Sequence, residues 1–107
     1  MVKVNIAKDF NRFPSGRFSK NGETSGQDFR IKFLEDPIKK GEEITIELDG
    51  TIGYGSSFLE EAFGGLVRSL AVSAVNLKSQ LHLVSSDQLL IDEIVSYIDD
   101  AAQIKKM

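Results

Sequence analysis

Alternation of apolar and polar residues marks three segments of the chain. Apolar side chains occupy every second position in residues 2–6 and again in residues 44–48, and residues 81–84 form a short segment rich in leucine and valine. A period of two is typical of a strand that buries one face. The pattern therefore predicts three core strands.

A helical period separates the first two strands. Ser25 and Asp28 have the spacing of a capping box, and Phe29, Phe33 and Leu34 follow on one helical face. Pro37 predicts an interruption, because the residue before a proline avoids the helical conformation.

Two further helices follow the second strand, and one follows the third. Ser57 and Glu60 form a second capping-box pattern, after which apolar residues recur at helical spacing to about Leu77, with a break expected near Ser69. Gly64-Gly65 inside this helix lowers its intrinsic stability, by about 1 kcal/mol per glycine relative to alanine. A continuous apolar stripe from Ile91 to Ala102 predicts the last helix.

The resulting order is β, loop, α, β, α, α, β, α. It predicts one α/β domain over residues 1–107, with a small mixed sheet of three to four strands and helices packed against it. The optional fourth strand is a short edge strand at residues 16–19.

The turn after the second strand combines several residue types that favour binding. Asp49 closes the strand, Gly50, Gly53 and Gly55 open the turn, and Ser56-Ser57 begin the next helix. A helix N-terminus attracts anions and stabilises a phosphoserine. A purely structural interpretation, a glycine turn with a serine cap, explains the same residues.

Residues 45–68 resemble the signature of a prokaryotic STAS-like family of uncharacterised function. The resemblance extends to residues 4–10, to the loop around Arg12-Phe13-Pro14 and to the closing helix. STAS domains include bacterial anti-sigma factor antagonists, in which a strand leads through a turn to an Asp-Ser-Ser/Thr-Gly-Leu motif. A kinase of the GHKL type phosphorylates a serine of that motif and is also the binding partner. In this chain Ser56-Ser57 align with the hydroxyl pair of that motif and Leu59 with its leucine.

The resemblance implies a non-enzymatic regulatory module that binds a GHKL-type ATPase or kinase. Ser56 is then the first phosphorylation candidate and Ser57 the second. Gly55 stands where the motif has an aspartate and Phe58 where it has a glycine, so phosphorylation stays open. The implied contact residues are Asp49, Gly53, Tyr54, Gly55, Ser56, Ser57, Phe58, Glu60 and Glu61.

Composition and charge exclude several function classes. The 107 residues include no cysteine, which rules out disulfides and thiolate chemistry, and the net charge of -3 makes nucleic acid a poor partner. No apolar segment approaches the roughly 20 residues that cross a bilayer, and the first residues lack a signal-peptide pattern. We expect a cytoplasmic protein without membrane contact.

Catalytic and metal chemistry are also not expected. His82, the only histidine, lies between two leucines, and the serines lack the glycine spacing of a nucleophile elbow. Paired carboxylates such as Glu60-Glu61 point in different directions on a helix. We expect no enzymatic activity, no metal and no cofactor.

Three alternatives remain open. The turn from Gly50 to Gly55 with the same helix N-terminus suits a small ligand or nucleotide. The loop from Phe10 to Phe18 interleaves arginine with phenylalanine. Such a mixture binds single-stranded nucleic acid, covers the sheet edge, or forms part of a protein-binding surface. Self-association into a homo-oligomer is the third.

Overall fold

A three-stranded parallel sheet forms the centre of the computed structural model, which describes residues 2–22 and 24–106. The strands are β1 (Val2–Asn5), β2 (Ile44–Glu47) and β3 (Leu81–Val84), in the order β1-β2-β3. Val4 pairs with Ile46, which pairs with Leu83. The predicted α/β class and all three core strands are confirmed, whereas the described strands pair only in parallel rather than in a mixed sheet.

Helices fill the connections between the strands. The helices are α1 (residues 26–39), α2 (residues 56–70), α3 (Ala74–Gln80) and α4 (Gln88–Lys106). A π-helical turn, Ile6–Phe10, follows β1, and a 3-10 turn, Ser19–Asn21, precedes α1.

The optional strand at residues 16–19 is not formed. The carbonyl groups of Gly16 and Arg17 accept hydrogen bonds from the backbone N–H groups of Gly26 and Gln27, at 2.9 and 3.0 Å. Those N–H groups begin α1 and have no partner inside the helix. The loop therefore caps α1 instead of extending the sheet.

The core lies between one face of the sheet and the helices. Val4, Ile44 and Ile46 are buried on that face, together with the aromatic rings of Phe29 and Phe63. The opposite face is mostly polar, with Val84 exposed on it, and Nε2 of His82 lies 2.6 Å from the carboxylate of Glu43. This alternation is the one that the sequence pattern predicts.

Helix α1 continues through Pro37, contrary to the predicted interruption. It consists of an α-helical turn, Gly26–Phe29, a π-helical turn, Arg30–Leu34, and a second α-helical segment, Glu35–Lys39. Pro37 lies in the first turn of that last segment, where a missing N–H group costs little. The predicted interruption at Pro37 is therefore wrong.

Helix α2 has the same composite form. The α-helical turn Ser56–Leu59 leads into a π-helical turn, Glu60–Gly64, and then into the α-helical segment Gly65–Leu70. Ala71 ends the helix in the left-handed conformation, with φ of 56°. The break predicted near Ser69 thus occurs two residues later.

A buried ion pair joins the π-helical turns of α1 and α2. Nη1 of Arg30 donates to the backbone oxygen of Glu61 at 2.8 Å and to its carboxylate at 2.5 Å, and Nε donates to Glu35 at 2.9 Å. A β-carbon at Gly65 would overlap this guanidinium group. Glycine lowers the stability of an isolated helix, but at position 65 it leaves the space that the Arg30 guanidinium group occupies.

We expect Gly65→Ala to destabilise the fold by about 1–3 kcal/mol, because the overlap with Arg30 outweighs the better helix propensity of alanine. Urea unfolding followed by circular dichroism measures the difference. Gly53→Ala is the control, since a β-carbon there meets nothing within 4 Å. Equal stabilities for the two variants would contradict the assigned role of Gly65.

We expect Arg30→Met to cost about 3 kcal/mol, because it leaves the buried carboxylate of Glu61 without its main cation. Adding Glu61→Leu to that variant should recover part of the loss, since the unpaired charge is then removed. A double-mutant cycle from urea unfolding measures this coupling. Additive losses would mean that the two side chains act independently.

Candidate functional site

A groove lies where β2 and β3 end, at the carboxyl edge of the sheet. It has a volume of about 590 Å³ and is formed by the loop after β2, the loop after β3 and the first turns of α4. Asp49, Asp87 and Glu93 line it and give it an acidic character. Parallel strands bring their following loops to one edge, which is where open α/β sheets bind ligands.

Asp49 joins the two loops. Its carboxylate accepts hydrogen bonds from the backbone N–H of Ser86 at 3.0 and 3.1 Å, and from the hydroxyl groups of Ser85 and Ser86 at 3.0 and 3.2 Å. The bond from the Ser86 N–H group is the main reason why the pKa of Asp49 lies below its ordinary value. An ionised Asp49 is thus a structural clamp across the groove.

Glu93 is held from the other side of the groove. The hydroxyl of Tyr97 donates to its carboxylate at 2.7 Å, and this bond is the main cause that raises the pKa of Tyr97 to about 12. Tyr97 therefore stays neutral at physiological pH and keeps its proton for the hydrogen bond to Glu93.

The glycine turn has one position that requires glycine for its conformation. Gly50 has φ of 106°, which other residues rarely adopt. Gly53 and Gly55 are exposed, and β-carbons there would meet nothing within 4 Å. The turn is thus shaped by Gly50 and left accessible at its other two glycines.

Tyr54 fixes this turn to the end of β2. Its hydroxyl donates to the backbone oxygen of Leu48 at 2.6 Å, and its ring lies 6.0 Å from that of Phe58. Partial burial raises the pKa of Tyr54. The position of the serines that follow is therefore set by a packed aromatic side chain.

Ser56 and Ser57 are both exposed at the start of α2. The residue that caps the helix is Gly55, so the predicted cap at Ser57 is wrong. Neither serine hydroxyl has a hydrogen-bond partner among residues 2–22 and 24–106. Both are consequently available for contact or modification.

Glu60 does not complete a capping box, because arginines engage it. Arg68 donates to its carboxylate at 2.6 and 3.1 Å, and Arg17 from the loop before α1 also pairs with it. Burial opposes ionisation of Glu60, but the two arginines outweigh it and lower its pKa. The contact with Arg17 joins residues far apart in sequence, so local spacing could not predict it.

Two of the expected contact residues lie inside the protein. Phe58 is fully buried in the core, and Glu61 is 7% exposed and paired with Arg30. In the structure, the side chains of these two residues are therefore not exposed at the surface around the serines. Asp49, Gly53, Tyr54, Gly55, Ser56, Ser57 and Glu60 remain on or near the surface at this edge.

The sequence did not predict the wall of the groove that follows β3. Ser85, Ser86, Asp87 and Leu89 lie opposite the glycine turn. Their position directly after β3 could have indicated this wall, because the ends of neighbouring parallel strands meet at one edge.

Two exposed apolar side chains at this edge were also not predicted. Ile52 is 69% exposed and Leu89 is 78% exposed.

The loop rich in phenylalanine and arginine divides between core and surface. Phe10 packs against Phe29, with ring centroids 5.3 Å apart, whereas Phe13 and Phe18 are exposed. Its Arg17 is paired with Glu60. Only the first phenylalanine thus covers the core as the structural interpretation predicts.

The described part of the chain has no group of three or more histidine, cysteine, aspartate or glutamate residues that could hold a metal ion. No described helix has both the length and the apolar composition to span a membrane.

We expect Asp49→Asn to destabilise the protein at neutral pH by weakening the clamp on Ser85 and Ser86. The pKa of Asp49 is depressed in the folded protein, so its stabilising contribution is present above the unfolded pKa of about 4 and is lost as pH falls through the folded value. Urea unfolding should therefore show a difference from wild type at pH 7 that shrinks below pH 4. Asp100→Asn, which changes an exposed aspartate of α4, is the control. A difference independent of pH would contradict the clamp.

Comparison with known proteins identifies the family. A family model described as a STAS-like domain of unknown function matches residues 25–88, which span α1 to the start of α4 and include the glycine turn and both serines. No curated protein and no solved structure matches the chain significantly. The match covers more than half of the chain and confirms the resemblance recognised in its sequence. The chain belongs to the family of STAS-like domains of unknown function.

Proposed function

We propose that this domain is a non-enzymatic regulatory module that binds a partner protein through the carboxyl edge of its sheet. The contact surface comprises residues 52–57, Glu60 and Leu89. The observation that carries the proposal is the pair of exposed serines at the start of α2, neither of which caps the helix.

The composition of the surface supports a protein partner. Ile52 and Leu89 expose apolar side chains beside hydroxyl groups and open backbone. Apolar anchors surrounded by polar groups are typical of protein interfaces. The resemblance to anti-sigma factor antagonists points to a GHKL-type ATPase or kinase in the cytoplasm as that partner.

Phosphorylation of Ser56, or secondarily of Ser57, is the proposed regulation. A phosphate at the first turn of a helix is stabilised by the helix dipole and by free N–H groups. Glu60, one turn after Ser56, is already paired with Arg17 and Arg68, which reduces its repulsion of a phosphate. Without the motif aspartate at position 55, the kinase must supply the groups that orient the serine.

The groups near the groove support the absence of catalysis. Asp49 is engaged by Ser85 and Ser86, and Glu93 by Tyr97. His82 is paired with Glu43 on the outer face of the sheet. Among residues 2–22 and 24–106, no side chain accepts a hydrogen bond from the hydroxyl of Ser56 or Ser57.

A small-ligand site is the second candidate, favoured by the size of the groove. Its volume of about 590 Å³ lies within the usual range for small-molecule sites. The lining carboxylates of Asp49, Asp87 and Glu93 repel phosphate groups, so a cationic or neutral polar ligand fits better than a nucleotide. Thermal stabilisation by a ligand in the absence of any partner would favour this candidate.

We expect Ser56→Asp to weaken partner binding by about tenfold or more, because it places negative charge in the interface, and Ser56→Ala to preserve it. The partner is recovered by pull-down from the native cell, and its affinity for each variant is measured by calorimetry. Ser79→Asp, at an exposed serine of α3, is the charge-matched control.

The same pull-down, followed by intact-mass analysis, tests the modification. One added phosphate mapped to Ser56 or Ser57 would support the switch. Equal affinity for wild type, Ser56→Asp and Ser56→Ala would refute the switch while leaving the interface intact. Recovery of an unmodified protein without a partner would favour the ligand site.

A further inference from the structure

Charged side chains are distributed unequally across the sheet. Residues 3–20, which include most of β1 and the loop after it, contain five lysines and arginines and one aspartate. Residues 81–103, which include β3 and most of α4, contain five aspartates and glutamates and no lysine or arginine. Lys78, in α3, is paired with Asp99 and does not line the carboxyl-edge groove. Because β1 and β3 are the outer strands of the described sheet, the positive and negative segments lie on opposite sides of it.

The basic segment reaches the carboxyl edge of the sheet at the end of β1. Lys8 and Arg12 are exposed, and neither has an ion-pair partner among residues 2–22 and 24–106. The backbone oxygen of Arg12 accepts a hydrogen bond from the N–H group of Ile52 at 3.0 Å, which holds Arg12 beside the glycine turn. Asp9, the one acidic residue of this segment, accepts a hydrogen bond from the backbone N–H of Asn5 at 2.7 Å. Two unpaired cations therefore lie at this end of the edge.

The groove at the other end of the same edge is acidic. Asp49, Asp87 and Glu93 line it, and no lysine or arginine lies among the described lining residues. The hydrogen bonds that these carboxylates accept come from hydroxyl and backbone N–H groups, so no cation is paired with them. Arg17 is already paired with Glu60. The groove is thus complementary in charge to the β1 end.

Exposed apolar side chains accompany both charged ends. Phe13, next to Arg12, is 60% exposed, and its N–H group donates to the side chain of Asn11 at 2.7 Å, which fixes the local turn. Ile52 is exposed beside it, and Leu89 is exposed at the rim of the acidic groove. Aromatic and arginine side chains that project together from a surface are typical anchors of protein interfaces.

This edge is complementary to itself. The basic and acidic ends are about 10 Å apart, or two strand spacings. A twofold axis through the middle of the edge places the basic end of each copy against the acidic end of the other. Arg12 then faces the groove of the second copy, whose volume of about 590 Å³ has room for an arginine side chain, and Phe13 faces Leu89. One occupant thus matches both charged ends and covers the exposed apolar side chains.

We propose that two copies of this chain form a symmetric dimer through their carboxyl edges, with Arg12 of each copy in the acidic groove of the other. The dimer does not depend on the partner proposed above. It covers the same edge, so dimer formation and partner binding exclude each other.

Analytical ultracentrifugation of the full chain tests the dimer. We expect wild type to sediment as a dimer at about 0.1 mM protein. Arg12→Glu and Glu93→Lys should each sediment as monomers, because every homodimer then has two like-charged contacts. An equimolar mixture of the two variants should form a dimer again, since the mixed pair has opposite charges at both contacts.

Asp92→Lys is the matched control, because it reverses an exposed charge on α4 outside the groove, and it should leave the dimer unchanged. Circular dichroism establishes that each variant is folded. If a charge reversal prevents folding, Arg12→Gln and Glu93→Gln replace the reversed variants, and each should weaken the dimer about tenfold.

Three results would overturn the proposal. A wild-type monomer at that concentration would exclude the dimer, and binding of the partner by that monomer would leave the proposed function intact. Failure of the mixed variants to associate would exclude the twofold contact between Arg12 and the groove. Species larger than a dimer would indicate a head-to-tail assembly instead of a closed pair.

Discussion

The ion pair between Arg30 and Glu61 is the contact on which the packing of α1 against α2 depends. Both residues lie in π-helical turns, and Gly65 leaves the space that the guanidinium group occupies. Buried charges are costly unless each is paired and hydrogen-bonded, and here the Arg30 guanidinium reaches a backbone carbonyl and two carboxylates. Since α2 begins with the exposed serines, the same pair fixes the helix that presents the proposed partner surface.

The sequence predicted those elements whose patterns are local. The alternation in residues 2–5, 44–47 and 81–84 follows directly from a sheet with one buried face, and the stripe of α4 follows from a helix packed on one side. The wrong predictions concern features that depend on contacts between residues far apart in the sequence. Gly55, not Ser57, caps α2, and Glu60 instead pairs with Arg17 and Arg68, of which Arg17 lies 43 residues away in sequence.

The candidate site was predicted on one side only, for a physical reason. The glycine turn and the serines form a continuous motif, whereas the opposite wall of the groove comes from residues 85–93. The two walls are close only because β3 lies beside β2. The order of helices and strands along the chain is compatible with this pairing but does not determine it. The motif also did not predict that Phe58 and Glu61 are buried. The helix that follows the turn packs against the core, so some residues next to the turn face inward.

The segment from β3 to α4 lines both the acidic groove at the carboxyl edge and an apolar groove beside β3. Asp49 binds Ser85 and Ser86 at the end of β3, and α4 begins two residues later at Gln88. The first turns of α4 line the acidic groove, and its next turns line the apolar groove beside β3. The same helix thus forms one wall of each groove. Because α4 lines both grooves, the packing of this one helix against the sheet sets the shape of both.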